Sequence, residues 1–169
     1  MSFEFNADEI LAMAEQIERN GARFYSRAAG MVKDAEVSKL LQELAAWEEV
    51  HQKAFASMRQ ILKEGERKPA TFDPEDEISF YLHAMADGHV FDVRVNPADR
   101  FTGKESAKDI LSMAIGQEKN SIIFYLGLKD MVSEITGKDK IDEIIREEMR
   151  HIGFLNREIV ALGGGSQNG

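Results

Sequence analysis

Apolar residues recur at alternating spacings of three and four along four stretches of the chain. In one stretch the face reads Val37, Leu41, Leu44, Glu48, His51, Phe55, Met58, Leu62. That spacing keeps all eight positions on one side of an α-helix. A later stretch repeats it as Ile141, Ile144, Glu148, His151, Leu155, Glu158, Leu162. Two further faces read Leu11, Ala14, Glu18, Gly21, Tyr25, Ala28 and Leu111, Ala114, Glu118, Ser121, Tyr125, Leu128. The predicted helices run from about Ala7 to Ala29, Ala35 to Glu64, Ala107 to Ser133 and Lys140 to Leu162. Asn6 with Glu9, Asp34, Ser106 and Asp139 stand where N-terminal caps belong, and Gly30, Gly65 and Gly163 where helices stop. Each apolar face is interrupted near its middle by a glutamate.

The stretches are related in pairs. Ile10-Leu11-Ala12-Met13-Ala14 aligns with Ile110-Leu111-Ser112-Met113-Ala114, one hundred residues on. In the same register Glu18, Asn20, Phe24 and Tyr25 match Glu118, Asn120, Phe124 and Tyr125. Leu41, Leu44, Glu48 and His51 match Ile141, Ile144, Glu148 and His151. This predicts a duplicated helix pair related by a pseudo-twofold. The fold class is therefore all-α, a four-helix bundle in one domain over 1–169. Its helix pairs span about 7–64 and 107–162, with a crossover over 65–106 and a glycine-rich tail over 163–169. Antiparallel neighbours need only a short loop. The long crossover can traverse the bundle, about 30–45 Å for helices of this length. Within it Glu75 to Val90 is expected to form a short helix after Pro74. Its Phe80, Tyr81, Met85 and Phe91 would lie against the bundle or a second subunit. Asn96-Pro97 and Thr102-Gly103 read as loop.

Composition narrows the chemistry. The formal charge of −9 argues against nucleic acid or an anionic membrane as partner. No apolar run approaches the length of a membrane span, and Met1 to Asn6 shows no secretory signal, so the cytoplasm is the expected location. Cysteine is absent, which excludes disulfides, zinc fingers and cysteine-held iron–sulfur centres. Any metal must be held by carboxylate and imidazole.

Those groups are present in a pattern. Glu-x-x-His occurs at Glu48–His51 and again at Glu148–His151. A lone example is ordinarily a solvated pair on a helix surface. Here both copies lie on the apolar face at equivalent places, and Glu18 and Glu118 lie on the inward faces of the other two helices. Four carboxylates in one core repel, and each carries a desolvation cost of several kcal/mol. Protonation with hydrogen bonding relieves this, and so do cations between them. The donor count suits two divalent metals, and imidazole with carboxylate suits iron or manganese. One Glu from each of two helices and Glu-x-x-His from the other two is the arrangement of di-iron and di-manganese carboxylate bundles.

On these residues the chain resembles the ferritin-like superfamily, and within it the rubrerythrin-type domains, from about Asp8 to Leu162. The resemblance implies a ferritin-like bundle with two iron ions, manganese and zinc being the alternatives. It implies that Glu48 and Glu148 bridge the metals, that Glu18 and Glu118 are terminal ligands, and that His51 and His151 serve one metal each. Tyr25 and Tyr125 resemble family tyrosines that hydrogen-bond ligand carboxylates; ordinary core packing is the competing reading. Two departures stand out. Rubrerythrins carry a further carboxylate where this chain has Ser121, and they commonly add a four-cysteine rubredoxin domain. Without that domain, electrons must come from a separate donor protein or a small reductant.

The expected function is thus a di-iron oxidoreductase that reduces peroxide or dioxygen. Iron storage in a ferritin-like cage and a metal-binding bundle without turnover are the alternatives. No fifth helix is expected after Leu162, which weighs against storage. A homodimer is expected. Trp47 reads as packing between helices, Glu49 and Glu147 as solvated neighbours of the face residues, and His83 and His89 as surface or interface histidines. Asp73, Glu75, Asp76 and Glu77 form an acidic run suited to a helix start.

Overall fold

The helix ends follow from local chemistry. The computed structural model describes residues 6–62, 77, 80, 81, 84 and 94–165. Helix α1 spans Ala7–Met31. The Asn6 side chain accepts from Glu9 N at 2.9 Å, and the Glu9 carboxylate accepts from Asn6 N at 3.0 Å, a reciprocal cap. Helix α2 spans Ala35–Ile61, and Asp34 Oδ1 accepts from the backbone of Glu36 and Val37. Helix α3 spans Ala107–Lys129 behind a second reciprocal cap, Ser106 with Asp109. Helix α4 spans Lys138–Gly164.

Several predicted boundaries move. Gly30 lies inside α1 rather than beyond it. Helix α3 stops at Lys129 instead of Ser133, because Asp130 N and Met131 N turn back to Gly127 and Leu128 carbonyls, tightening the last turn. Asp139 does not cap α4. The cap is Gly137 at φ +133°, a conformation that favours glycine, and no side chain bonds the first amides there. Asp139 sits in the first turn instead, where negative charge suits the helix dipole. At the far end α4 continues through Gly164, into the expected tail.

Two buried apolar clusters fill the bundle. One joins the starts of α1 and α4 to the ends of α2 and α3: Ile10, Leu11, Ile141 and Ile144 pack with Phe55, Met58, Tyr125 and Leu128. The other joins the opposite ends, through Phe24, Tyr25, Leu41, Leu44, Ile110, Leu111 and Leu155. Helices α1 and α4 therefore run one way and α2 and α3 the other. Helices α2 and α3 are thus parallel to each other. The crossover helix expected at Glu75 to Val90 lies largely outside the described residues, as do Asp73, Glu75, Asp76, His83, Met85, His89 and Phe91. Its described members Glu77, Phe80, Tyr81 and Ala84 are helical. The Tyr81 hydroxyl donates to the Ile123 carbonyl on α3. Further on, Pro97–Arg100 forms a short 3-10 turn where loop was expected, capped by Asn96. The Arg27 guanidinium donates to Ala98 O at 2.8 Å and Phe101 stacks on Phe24, which ties this segment to α1. No helix among the described residues is long and apolar enough to cross a membrane.

Candidate metal centre

Between the two apolar clusters the four interrupted faces meet. Glu18 comes from α1, Glu48 and His51 from α2, Glu118 from α3, and Glu148 and His151 from α4. All six side chains are buried, none more than 4% exposed. One donor atom from each of Glu18, Glu48, His51 and Glu148 can be chosen so that all lie within 4.8 Å of one another. The same holds for Glu48, Glu118, Glu148 and His151. The two sets share Glu48 and Glu148, and each adds one glutamate and one histidine of its own.

The imidazoles face inward through Nδ1. His51 Nδ1 lies 2.9 Å from Glu148 Oε1 and 3.5 Å from Glu18 Oε2. His151 Nδ1 lies 3.0 Å from Glu148 Oε2 and 3.6 Å from Glu118 Oε1. Each tyrosine crosses to the other half: Tyr25 donates its hydroxyl to Glu118 Oε1, and Tyr125 donates to Glu18 Oε1. Burial first, then the neighbouring carboxylates, push both phenols well above their usual pKa, so they stay protonated donors.

Burial and crowding of like charges shift the proton affinities of these groups. Burial raises Glu18, Glu48 and Glu118, and neighbouring carboxylates add to it. Burial also opposes ionisation of Glu148, but its contacts with Glu118, His151 and His51 outweigh that and hold it well below the carboxylate range. The histidines are disfavoured as cations by burial, yet the facing carboxylates raise His51 to about 11 and His151 to about 9. Metal-free, the cluster shares protons. Even so, Glu18 Oε2, Glu48 Oε1, His51 Nδ1 and Glu148 Oε1 are buried without a hydrogen-bond partner among the described residues. Buried polar atoms left in that state are costly. Four of them converge here, all lone-pair donors of types that ligate divalent metals, so the residues present fit such ions.

Three features escaped the reading of the sequence. Glu147 is not a solvated neighbour: its Oε2 lies 2.6 Å from His51 Nε2. Trp47 is not packed between helices but is 45% exposed, with its ring near both histidines. Position 47 against 147 breaks the repeat beside a Glu-x-x-His motif, and that break was the available signal. The third feature is a cavity of about 70 Å³ between α1 and α3. It reaches Glu48 and Glu118, and its wall includes Gly21, Asn20, Asn120, Gln117 and Ser121. Arg100, on the 3-10 turn, also borders it. Gly21 is required by a close approach: a Cβ there would stand 2.2 Å from Glu48 Oε2. Glu49 is exposed.

No protein-family model and no curated protein matches the sequence. Among solved structures, one described as a ferritin-like diiron-carboxylate protein of Thermotoga maritima is similar at 22% identity. The likeness covers 94% of this chain and 97% of that one, with a TM-score of 0.69. At that identity the likeness establishes the fold, a ferritin-like four-helix bundle.

Proposed function

We propose that this bundle holds two iron ions and reduces a small oxidant, hydrogen peroxide in preference to dioxygen, with electrons from an external donor. One observation carries the reading: two sets of buried donors share Glu48 and Glu148, and four of their atoms make no satisfied hydrogen bond among the described residues. In this reading Glu48 and Glu148 are shared by both ions. Glu18 and His51 complete one position, and Glu118 and His151 the other. The description of the Thermotoga structure as a diiron-carboxylate protein supports the choice of iron.

When bound, the ions supply the electrons and the Lewis acidity that oxidant reduction requires. The chain supplies the rest. The apolar clusters above and below keep bulk water from the carboxylates. Tyr25 and Tyr125 fix the rotamers of Glu118 and Glu18 by donating to them. The histidines occupy the α2–α4 side, and the cavity opens the α1–α3 side. At about 70 Å³ it is several times the ~10–15 Å³ that one water needs. Its amide groups, from Asn20, Asn120 and Gln117, suit an oxidant that forms hydrogen bonds, which favours peroxide. Without cysteine the chain has no iron–sulfur relay of its own, so sustained turnover calls for an added reductant.

The test is metal analysis of protein purified without added metal, followed by anaerobic reduction and mixing with peroxide or dioxygen. Iron near two per chain and oxidation by peroxide are expected. A ferrous protein inert to both oxidants would end the enzyme reading while leaving the metal site standing. Iron taken up far beyond two per chain would favour storage.

A further inference from the structure

The pseudo-twofold that pairs Glu18 with Glu118, Glu48 with Glu148 and His51 with His151 does not extend to every residue beside them. Position 147 is glutamate and position 47 is tryptophan. The difference falls on the outer nitrogens of the two histidines. Glu147 reaches from α4 to α2, and its Oε2 lies 2.6 Å from His51 Nε2. Its other oxygen lies 3.5 Å from Arg150 Nη2. At His151 the equivalent place is taken by Trp47, whose ring centroid lies 6.4 Å from the imidazole. An indole offers a donor and no acceptor, so it cannot receive an imidazole N–H. Among the described residues no carboxylate is paired with His151 Nε2.

We infer that the two metal positions are unequal, that Glu147 makes them so by positioning His51, and that the position of His51 fills first. This deepens the proposed di-metal reading and rests on it. A neutral imidazole carries one proton, and only the bare nitrogen can bind a metal. The Glu147 carboxylate holds His51 through Nε2, which turns Nδ1 toward Glu148 and Glu18. The ring is thereby held in the ligating orientation before an ion arrives. Among the described residues His151 has no such partner, so its ring is fixed in place only when the ion binds. Outer carboxylates of this kind are typically worth 10–100-fold in metal affinity. That range is the expected gap between the first and second equivalents. Glu147 is a positioning residue in this account and touches no metal.

The experiment is anaerobic titration of the full metal-free protein with cobalt(II), followed by its visible absorption and by calorimetry. The parent should bind in two resolved steps separated by 10–100-fold. His51→Ala should remove the tighter step and His151→Ala the weaker. Glu147→Ala should weaken the first step toward the second and leave the second in place. Trp47→Glu, which supplies a carboxylate beside His151, should tighten the second step and narrow the gap from the other side. A purely structural role for Glu147 would shift melting temperature without changing the order of the steps. Two equivalents bound in one unresolved step by the parent would overturn the inference while leaving the di-metal reading intact. So would a first step unchanged in Glu147→Ala together with a second step unchanged in Trp47→Glu. Absence of cobalt binding by the parent would instead overturn the di-metal reading.

Discussion

Replacing Gly21 with alanine sets two effects of opposite sign against each other in one helix. Alanine favours a helix interior over glycine by ~1 kcal/mol. The new Cβ, however, would stand 2.2 Å from Glu48 Oε2 and 2.9 Å from its Cδ. Ordinary carbon contacts begin near ~3.5 Å, so the carboxylate must withdraw by roughly 1 Å. It is the free end of a flexible side chain, and in the metal-free protein it can turn aside at small cost. With metal bound it cannot, because a ligand bond of ~2 Å does not survive such a displacement. Glu48 belongs to both donor sets, so both positions suffer. A 100-fold loss of affinity removes ~2.7 kcal/mol of metal-linked stabilisation at saturating metal. For a domain of this size that is roughly 5–10 °C in melting temperature. Gly116→Ala is the matched control, since nothing lies within 4 Å of a Cβ at that position in α3. The assay is thermal melting with and without added metal, with metal content per chain measured alongside. Gly116→Ala should melt slightly higher in both conditions and keep its metal. Gly21→Ala should melt at or slightly above the parent without metal, and gain much less when metal is added. A Gly21→Ala protein with the parent's metal content and the parent's metal-induced gain would refute the reasoning.

Glu148→Ala should impair both metal positions and His151→Ala mainly one, while exposed Glu49→Ala should change little; metal content per chain across the three variants checks this. Tyr125→Phe removes the donor to Glu18 and leaves a buried oxygen unpaired, so a loss of about 1–3 kcal/mol is expected in urea denaturation of the metal-free protein. The metal-free protein should also weaken as pH rises. His51 and His151 hold protons to about 11 and about 9 against an ordinary 6.5. The native state therefore binds more protons than the unfolded chain, and the stabilisation, complete below ~6.5, is lost as pH passes through those values. Burial raises Glu18, Glu48 and Glu118 in the same sense, with the loss starting lower, above ~4.5. Melting temperatures that rise between pH 6.5 and 9.5 without metal would contradict this. Metal displaces these protons, so its affinity should increase over the same interval.

The helices were legible because their apolar faces keep a 3.6-residue period and their caps are local. Asn6 with Glu9 and Asp34 act within three or four residues of themselves, and local rules suffice there. The Ser133–Gly137 turn was not legible, because the start of α4 depends on a positive φ at Gly137 that no neighbouring side chain announces. The six inward residues were legible because the repeat places each on an apolar face twice over. Glu147 was not. It stands about 100° around the helix from Glu148, and period alone assigns that direction to solvent. Only the placement of α4 beside α2 brings its carboxylate to His51. Trp47, expected to pack between helices, was misjudged for the matching reason, since its direction leaves it largely exposed. The cavity at Gly21 and Ser121 depends on how closely α1 and α3 approach, a distance that no single helix encodes.

The two tyrosine hydroxyls join residues 93 and 107 positions apart in the chain, and each runs from one helix pair to the other. Neither pair supplies the tyrosine that its own glutamate accepts from. The pocket is therefore completed only when α1 and α2 have met α3 and α4, contacts far apart in the chain. Glu148 and His151 are also among the last core residues to be synthesised. A chain broken off between Glu118 and Glu148 retains Glu18, Glu48, His51 and Glu118 but lacks the second carboxylate common to both donor sets, and His151. In the proposed di-metal reading, durable capture of both ions therefore requires both helix pairs to be assembled.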